Sequence, residues 1–224
     1  MNSDADLQRR WRRRVLLFLA AVFVVFVVLP VAWQFVATLG QLDVVEAERD
    51  QWQRPADVLA ALDSHAGSRV LDLGCGSGYF ALKLARGVGP SGEVIAEDIR
   101  WLPLVFLRVR AMLRGDRNVD IVHGTLDDPG LPAATADGVL IANTYHELDH
   151  PAAILACVRR ALKPGGRLVI LDRGPDATPE PHHIARRLVE DQVRCAGFEI
   201  IDRNDRFISN HDDDRWWLLI ARRP

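Results

Sequence analysis

Cysteine is scarce in this chain of 224 residues, and its three copies stand far apart, at positions 75, 157 and 195. An odd number of widely separated cysteines excludes a disulfide framework and lacks the spacing of a zinc site. We therefore predict no metal site, and we interpret all three cysteines as small packing residues. A catalytic cysteine among them is the less favoured alternative.

The chain also lacks a strong excess of charge of either sign. Its 28 Lys and Arg residues nearly balance 30 Asp and Glu residues, for a formal net charge of −2. No long basic stripe occurs beyond the N-terminal segment, so we expect no nucleic-acid partner. Internal repeats and low-complexity segments are absent as well. The ~180 residues that follow the N-terminal segment suffice for the core of one domain.

A long apolar run is present near the N-terminus. Residues 15–29 are all apolar, and the run continues to residue 39 with Gln34 as its only strongly polar member. A membrane-spanning helix needs ~20 mostly apolar residues, so this run is long enough to cross a bilayer. The alternative is a removable signal peptide, whose apolar region would be only ~7–15 residues long and would precede a small-x-small cleavage site. We predict a retained single-pass anchor at 15–39.

Five arginines precede the apolar run, at positions 9, 10, 12, 13 and 14, and they bear on its orientation. Because positive residues stay on the cytoplasmic side of a membrane, they predict a cytoplasmic N-terminus. With a single span, the rest of the chain would then lie on the opposite side. The predicted organisation is a basic flank at 1–14, the anchor at 15–39, a helical linker at 40–66 and a globular domain at 67–224.

The most informative motif is a glycine turn that follows a short apolar strand. Asp72 is followed at alternate positions by Gly74, Gly76 and Gly78. Glycines let the backbone bend sharply and approach a ligand closely, and the helix that follows directs its free N–H groups at the turn. The dinucleotide pattern G-x-G-x-x-G fails at Tyr79, and the Gly-Lys-Ser/Thr of a P-loop is absent. The turn therefore predicts a nucleotide-like ligand, but neither the dinucleotide of the first pattern nor the phosphates that a P-loop binds.

The pattern D-x-G-x-G-x-G resembles motif I of the class I methyltransferases that use S-adenosylmethionine. The segment L-K-P-G-G-R-L at 162–168 and the segment A-G-F at 196–198 resemble the turns before strands five and six of that family. Residues 48–55 and 143–148 look like features of a subgroup of predicted bacterial small-molecule methyltransferases. The resemblance covers roughly residues 46–222 and implies S-adenosylmethionine as the cofactor.

Strand and helix signals alternate beyond residue 66, as they do in a doubly wound α/β fold. With the resemblance, they predict a Rossmann-like, mostly parallel sheet of seven strands. The strands are expected at 69–73, 93–98, 119–122, 138–142, 167–171, 198–203 and 216–221. A turn is expected at 163–166, a helix at 183–196 and an exposed hairpin turn at 211–214.

The resemblance also implies the residues that hold the cofactor. Asp98 lies 20 positions after Gly78, the distance at which an acid can bind ribose hydroxyls, and Glu97 is the competing candidate. After strand three, Thr125 stands where the family often has an acid near the adenine, and Asp127 is the replacement that we consider. The expected cofactor-binding residues are Asp72, Gly74, Cys75, Gly76, Gly78, Asp98, Asp127 and Asn143.

The end of strand four carries the candidate catalytic residues. His146 is the candidate base, and Tyr145 is expected to shape the methyl channel or to position the substrate. A base is needed only when the nucleophile is protonated, and the alternative is that both residues cap the strand and pack on the next helix. The resemblance places His182 in a lid segment, although simple polarity at a helix N-terminus explains it equally well.

These features predict a membrane-anchored methyltransferase that acts on a small-molecule, lipophilic acceptor. The resemblance places it in the bacterial inner membrane. One conflict is open, because S-adenosylmethionine is made in the cytoplasm and the arginines place the domain on the other side. The alternatives are a membrane-tethered binding protein without catalysis and a nucleotide-dependent oxidoreductase.

Overall fold

The computed structural model describes residues 3–174, 183–211 and 214–224. The chain divides into two units, Met1–Val45 and Glu46–Pro224. The second unit contains the sheet and the glycine turn. The predicted lid residue His182, with most of the loop at 174–181, lies outside the described residues, as do Asp212 and Asp213 of the predicted hairpin turn.

The N-terminal unit is built on one long helix. Helix α1 (Ser3–Phe23) passes through a π-helical segment (Val24–Val28) into α2 (Leu29–Trp52). Proline at position 30 has no N–H group, and its ring would clash with the carbonyl four residues earlier in an α-helix, so the wider π turn accommodates it. The N–H group of Leu29 accordingly bonds the carbonyl of Val24, five residues back.

The long helix is a candidate membrane span. By length and composition alone, the stretch Arg10–Trp52 is long and apolar enough to cross a membrane, and its most apolar window is exposed. Phe26 and Trp33 leave about three quarters of their surface accessible. Such exposure is expected of a segment whose surroundings are lipid rather than protein.

The second unit contains one sheet of seven strands, in the order β3-β2-β1-β4-β5-β7-β6. The pairs among β1 to β5 are parallel, and β7 is antiparallel to both β5 and β6. This sheet confirms the predicted seven-stranded, mostly parallel α/β architecture. The strands are β1 (Arg69–Leu73), β2 (Glu93–Asp98), β3 (Val119–His123), β4 (Ala136–Ala142), β5 (Leu162–Arg173), β6 (Glu199–His211) and β7 (Asp214–Arg222).

Helices cover both faces of the sheet. Side chains alternate along each strand, so Val70 belongs to one core cluster and its neighbour Leu71 to the other. Helices α3, α4 and α5 pack on the first cluster, and α6 and α7 pack on the second. The helices are α3 (Pro55–Ala61), α4 (Tyr79–Val88), α5 (Trp101–Arg114), α6 (Pro151–Ala161) and α7 (Arg186–Cys195).

The predicted turn at 163–166 lies inside strand β5 as an irregularity. Pairing with β4 jumps from Ala136–Leu162 to Gly138–Arg167, which leaves the turn residues out of register. The chain end holds this bulge, because the N–H group of Gly165 bonds the carbonyl of Arg223 and the N–H group of Arg223 bonds the carbonyl of Gly166. The prediction of a free turn before the strand was therefore wrong in detail.

The helix predicted from residue 183 begins three residues later, at Arg186. The backbone at Ile184 is already committed to the sheet, because its N–H group bonds the carbonyl of Arg173. The indole of Trp217 donates to the carbonyl of Ile184 at 2.9 Å. These tertiary hydrogen bonds outweigh the helical pattern of His183 and its neighbours. Gly197 ends α7 with a positive φ of 84°, as expected.

A buried ion pair fixes the start of the second unit. The guanidinium of Arg110 on α5 donates to both carboxylate oxygens of Glu46 and, through Nη1, to the carbonyl oxygen of Ser77 at 2.6 Å. Both charged residues are buried. Because a buried charge without a partner is costly, this bond holds the last turns of α2 against the glycine turn.

Candidate cofactor and active site

The glycine turn connects β1 to α4 and is bonded to the end of β2. Gly74, Gly76 and Gly78 all have positive φ angles, at 72°, 55° and 92°. The N–H group of Cys75 bonds the carbonyl of Glu97 at 2.8 Å, and the N–H group of Gly78 bonds the carbonyl of Cys75 at 2.9 Å. The turn is thereby held at the carboxyl end of the sheet.

The three glycines face different surroundings. A Cβ atom on Gly74 would lie 2.2 Å from Cγ2 of Thr144, and one on Gly78 would lie 2.3 Å from Cδ1 of Leu107. A Cβ atom on Gly76 would meet no described atom within 4 Å. Two of the glycines are therefore required by packing, while Gly76 borders space that a ligand can enter.

Three carboxylic acids lie buried around this turn. Asp98 accepts hydrogen bonds from the N–H groups of Gly76 and Arg100, at 2.9 and 2.8 Å, and from the guanidinium of Arg100. Burial raises the pKa of Asp72 to about 7, and the charge of Asp98 adds to this effect. Burial also raises the pKa of Glu97 to about 7, with further contributions from Asp98 and Asp72.

A cleft opens beside these acids at the carboxyl ends of β1, β2 and β4. This is the point where the strand order reverses between β1 and β4, and α/β folds place their ligands there. Gly74, Asp98 and Thr144 contribute to its walls, so the glycine turn, the end of β2 and the loop after β4 meet in one place. Its other lining residues are Leu73, Glu97, Ile99, Arg100, Thr125, Leu126, Glu147, Leu148, Asp149 and Ile154.

The end of α2 packs against the start of α4. The guanidinium carbon of Arg49 lies 3.9 Å from the ring centre of Tyr79, whose hydroxyl donates to Asp50 at 2.8 Å. Burial lowers the pKa of Arg49, and the nearby charges of Tyr79, Glu46 and Asp72 oppose that effect. Gln53 is fully buried and accepts a hydrogen bond from Nε of Arg49 at 2.7 Å. These contacts place a cation near Asp72.

Of the predicted site residues, Gly74 and Asp98 line the cleft, and the other eight do not: Asp72, Cys75, Gly76, Gly78, Asp127, Asn143, Tyr145 and His146. Asp127 is exposed, and its carboxylate is paired with Nδ1 of His150 on the surface. Tyr145 is 1 % exposed within the second core cluster, and its hydroxyl donates to Gln192 at 2.8 Å. Burial raises the pKa of that hydroxyl. The contacts of Tyr145 are those of the packing alternative, and Thr125 and Leu126 line the cleft where Asp127 was expected.

His146 is held by an acid that the sequence patterns did not single out. Its Nδ1 lies 2.8 Å from Oδ1 of Asp172, and its backbone N–H group donates to Oδ2 of the same carboxylate at 3.1 Å. Asp172 is fully buried near the end of β5, beside β4. A proton on Nδ1 is therefore directed at the carboxylate, while Nε2 lies 3.8 Å from Oε1 of Glu147 and the side chain is 3% exposed. The sequence did contain a signal that could have revealed Asp172, because it is an acid at the carboxyl end of the strand that neighbours β4.

Part of the chain matches a known protein family. A family model described as a methyltransferase domain matches residues 70–166. The ubiquinone/menaquinone biosynthesis C-methyltransferase UbiE of Pseudomonas putida strain F1 is 37% identical over 122 residues, which are 54% of this chain and 47% of that protein. The protein of the same name from Pseudomonas fluorescens strain SBW25 is 33% identical over 122 residues, with the same two coverages. The chain spans about half the length of these curated relatives.

Solved structures agree on the fold. A S-adenosylmethionine-dependent methyltransferase from Aquifex aeolicus superposes with a TM-score of 0.71 at 23% identity, covering 83% of this chain and 98% of the other. The second unit therefore has the fold of the class I methyltransferases. A second similar structure, the [4+2]-cyclase SpnF, superposes with a TM-score of 0.68 at 20% identity, covering 77% and 80% of the two chains. At these identities the superpositions establish the fold alone.

The comparisons support the predicted family and its cofactor, S-adenosylmethionine, and residues near the turn have properties that fit this cofactor. Within the described part of the chain, Oδ2 of Asp72 and Oδ1 of Asn143 are buried acceptors without a hydrogen-bond partner. Asn143 also has a positive φ of 54°, which is uncommon for a residue with a side chain. Buried acceptors without a partner suit a cationic ligand that donates hydrogen bonds. Among the described residues, no group of three His, Cys, Asp or Glu side chains could hold a metal ion.

Substituting Gly76 with alanine tests whether the open side of the turn is the cofactor cradle. We expect Gly76→Ala to weaken S-adenosylmethionine binding at least tenfold, because the new methyl group enters ligand space. Gly115→Ala is the matched control, since Gly115 also has a positive φ and open surroundings. Both variants carry about 1 kcal/mol of backbone strain. Isothermal titration calorimetry on the full chain in detergent measures the affinity, and equal affinities in the two variants would reject the assignment.

The raised pKa of Asp72 predicts pH-dependent cofactor binding. A cationic ligand favours the ionised acid, and the acid is mostly neutral well below pH 7, so affinity should increase as pH rises through 7 and level off above it. We expect binding about tenfold weaker at pH 6 than at pH 8. Asp72→Asn should remove most of this dependence, whereas Asp120→Asn, at an exposed position, should retain it. A flat affinity profile in the unsubstituted chain would contradict the prediction.

Proposed function

We propose that this chain is an enzyme that transfers the methyl group of S-adenosylmethionine to a small lipophilic acceptor at a membrane. One observation carries the proposal. The glycine turn leaves space open at Gly76, and a buried carboxylate oxygen of Asp72 nearby has no hydrogen-bond partner among the described residues. A turn that served packing alone would not leave an oxygen of a buried acid without a hydrogen-bond partner.

Each acid of the turn has a proposed role toward the cofactor. Asp98 binds the ribose hydroxyls, since its position at the end of β2 is the one that such folds use, and Glu97 is the competing candidate on the same strand. Asp72 and Asn143 face the positively charged amino-acid part. Arg49, whose charge is felt by Asp72, is positioned for the carboxylate of that part. Cys75 contributes its backbone, because its side chain is buried and burial raises its pKa strongly.

The bound cofactor supplies a methyl group on a positively charged sulfur, which is already a good leaving group. The protein must then align the acceptor and exclude water. We propose that His146 takes a proton from the acceptor through Nε2. Asp172 holds the ring by accepting from Nδ1 and stabilises the positive charge that develops on it.

The names of the curated relatives suggest the class of acceptor. They are C-methyltransferases of ubiquinone and menaquinone biosynthesis. For a ring of this kind, we propose that His146 removes a proton from a ring hydroxyl. The electron density so released lets a neighbouring ring carbon accept the methyl group while the sulfur leaves as a neutral thioether. That carbon then loses its own proton to solvent, which restores the aromatic ring, and His146 returns its proton to the ring oxygen.

A second candidate function is ligand binding, or another reaction, on the same fold. It is favoured by one observation, the similarity to a structure named as a [4+2]-cyclase. The oxidoreductase alternative has no such support, because the glycine spacing is not that of dinucleotide-binding turns. Direct assay of methyl transfer distinguishes these functions.

We propose that residues 15–39 anchor the enzyme in the membrane, between a basic flank at 1–14 and the linker at 40–66 that leads to the domain at 67–224. The arginines of the flank favour a domain outside the cytoplasm, whereas the cofactor favours a domain inside it. Paired C-terminal fusions to alkaline phosphatase, active only outside, and to a fluorescent protein that folds only inside locate the domain. We expect the cytoplasmic result, because the enzyme needs its cofactor. Activity of the phosphatase fusion alone would contradict this placement.

Methyl transfer to a hydroquinone tests the proposed function and the pair of His146 and Asp172. We expect the full chain in proteoliposomes to transfer label from methyl-labelled S-adenosylmethionine to a prenylated hydroquinone. His146→Ala and Asp172→Asn should lower kcat about 100-fold and change the pH profile, with little effect on KM for the cofactor. Tyr145→Phe is the control, because it removes only the hydrogen bond to Gln192. It should cost about 1 kcal/mol of stability and leave kcat unchanged.

Three results would contradict these assignments. Failure of the folded chain to bind S-adenosylmethionine rejects the enzyme as proposed. Binding without transfer to any hydroquinone rejects the acceptor class and favours the second candidate function. If Tyr145→Phe loses as much kcat as His146→Ala, Tyr145 has a catalytic role after all, and the packing assignment is wrong.

A further inference from the structure

Helix α5 is apolar on both of its faces. Its inner face contributes Leu104, Leu107 and Ala111 to the core. An ordinary surface helix carries charged and polar residues on the opposite face. Here the apolar side chains of the opposite face are 42% to 75% exposed. They are Trp101, Leu102, Val105, Met112 and Leu113.

These exposed side chains form one continuous strip. Trp101, Val105 and Met112 follow one another at spacings of four and seven residues, which places them on one line along the helix, with exposed Arg108 between the last two. Leu102 and Leu113 lie on the adjacent line. We call this strip, made of Trp101, Leu102, Val105, Arg108, Met112 and Leu113, the outer face of α5.

The charged residues of α5 and its immediate flanks are all basic, and acids from elsewhere pair with three of them: Asp98 with Arg100, and Glu46 with Arg110 and Arg114. From residue 99 to residue 115 the sequence has four arginines and no acid. Arg110 is buried against Glu46, but Arg100 and Arg108 are exposed, one before the helix and one within the strip. A strip of Trp, Leu and Met side chains with arginines is typical of a helix that lies in the interface of an anionic membrane.

We propose that the outer face of α5 docks the catalytic domain on the anionic surface of a lipid bilayer. The apolar side chains would enter the boundary between headgroups and acyl chains, while the long arginines reach back to lipid phosphates. This inference rests on the membrane anchor that is part of the proposed function.

The connection to the anchor favours a bilayer over a second copy of the chain. Glu46 is bonded to Arg110 of α5, and residue 46 is only seven positions after the end of the apolar run at residue 39. Seven residues span at most ~25 Å even when fully extended. If a bilayer holds the apolar run, residue 46 therefore lies within ~25 Å of the end of that run.

Docking would also bring the cleft to the place where a lipophilic acceptor dissolves. Ile99 and Arg100 line the cleft and immediately precede the first residue of α5. Leu126, another lining residue, is an exposed apolar side chain as well. The apolar strip and the cleft are thus continuous along the chain.

Spin labels on the full chain in nanodiscs that contain phosphatidylglycerol test the docking. Cys75 and Cys157 are buried, so a Cys195→Ser background allows single labels to be introduced. Met112→Cys reports on the outer face. The matched control is Leu188→Cys, an exposed apolar position on α7. We expect the label at position 112 to lose collisions with a water-soluble nickel chelate and to gain collisions with oxygen, while the label at 188 remains in water.

A charged variant confirms the cause of any protection. Leu113→Glu adds a negative charge at an exposed position beside the label, so folding should be retained, and nickel access at position 112 should return. Protection that persists in Leu113→Glu would contradict docking on an anionic surface.

The remaining outcomes separate this inference from the proposed function. A chain that stays in the nanodisc with a water-accessible label at 112 overturns the docking and leaves the anchor intact. A chain that is not retained by the nanodisc overturns both. Spin–spin broadening at 112 that disappears on mixing with unlabelled chain would show contact between copies, which also overturns the docking. Calorimetry with S-adenosylmethionine on the same sample reports on the cofactor site independently.

Discussion

The site depends on the crowding of three carboxylic acids around one glycine turn. Asp72, Glu97 and Asp98 come from the ends of two neighbouring strands, so the register of β1 and β2 brings their charges together. Burial and mutual repulsion raise the pKa of Asp72 and of Glu97 toward neutrality. Asp98 is satisfied by backbone N–H groups and Arg100. The fold thus keeps two buried acids with raised pKa values at this turn, an arrangement that would favour a cationic ligand.

The sequence was sufficient for the architecture because its signals are local. Strands β1 and β2 have the bounds that were predicted, and the glycine turn lies where its spacing placed it. The differences arise where distant residues decide the outcome. The bulge at 163–166 is held by hydrogen bonds to Arg223, and the start of α7 is delayed by bonds from Ile184 to the sheet. Such partners are far apart in the chain, so no local pattern reveals them.

In the candidate site too, some residues follow from local motifs and others only from contacts between distant parts of the chain. Gly76, Asp98 and His146 were predicted from motif and position, whereas Asp172 was not, since its relation to His146 exists only once β4 and β5 are paired. Tyr145 was chosen for its neighbourhood in the sequence, yet the 3₁₀ turn that contains it directs the ring into the core. Adjacent residues in a tight turn face different surroundings, so proximity in sequence could not distinguish a candidate base from a packing residue.

The bond of Arg110 to both Glu46 and the Ser77 carbonyl has a consequence for where this domain begins. A helix is ordinarily treated as a single element, and the end of α2 at Trp52 is the obvious boundary between anchor and enzyme. A fragment cut there would lose Glu46 and leave a guanidinium buried beside the cofactor turn without its counter-charge. The last turns of α2 therefore belong to the second unit, and a fragment that keeps this ion pair must include Glu46.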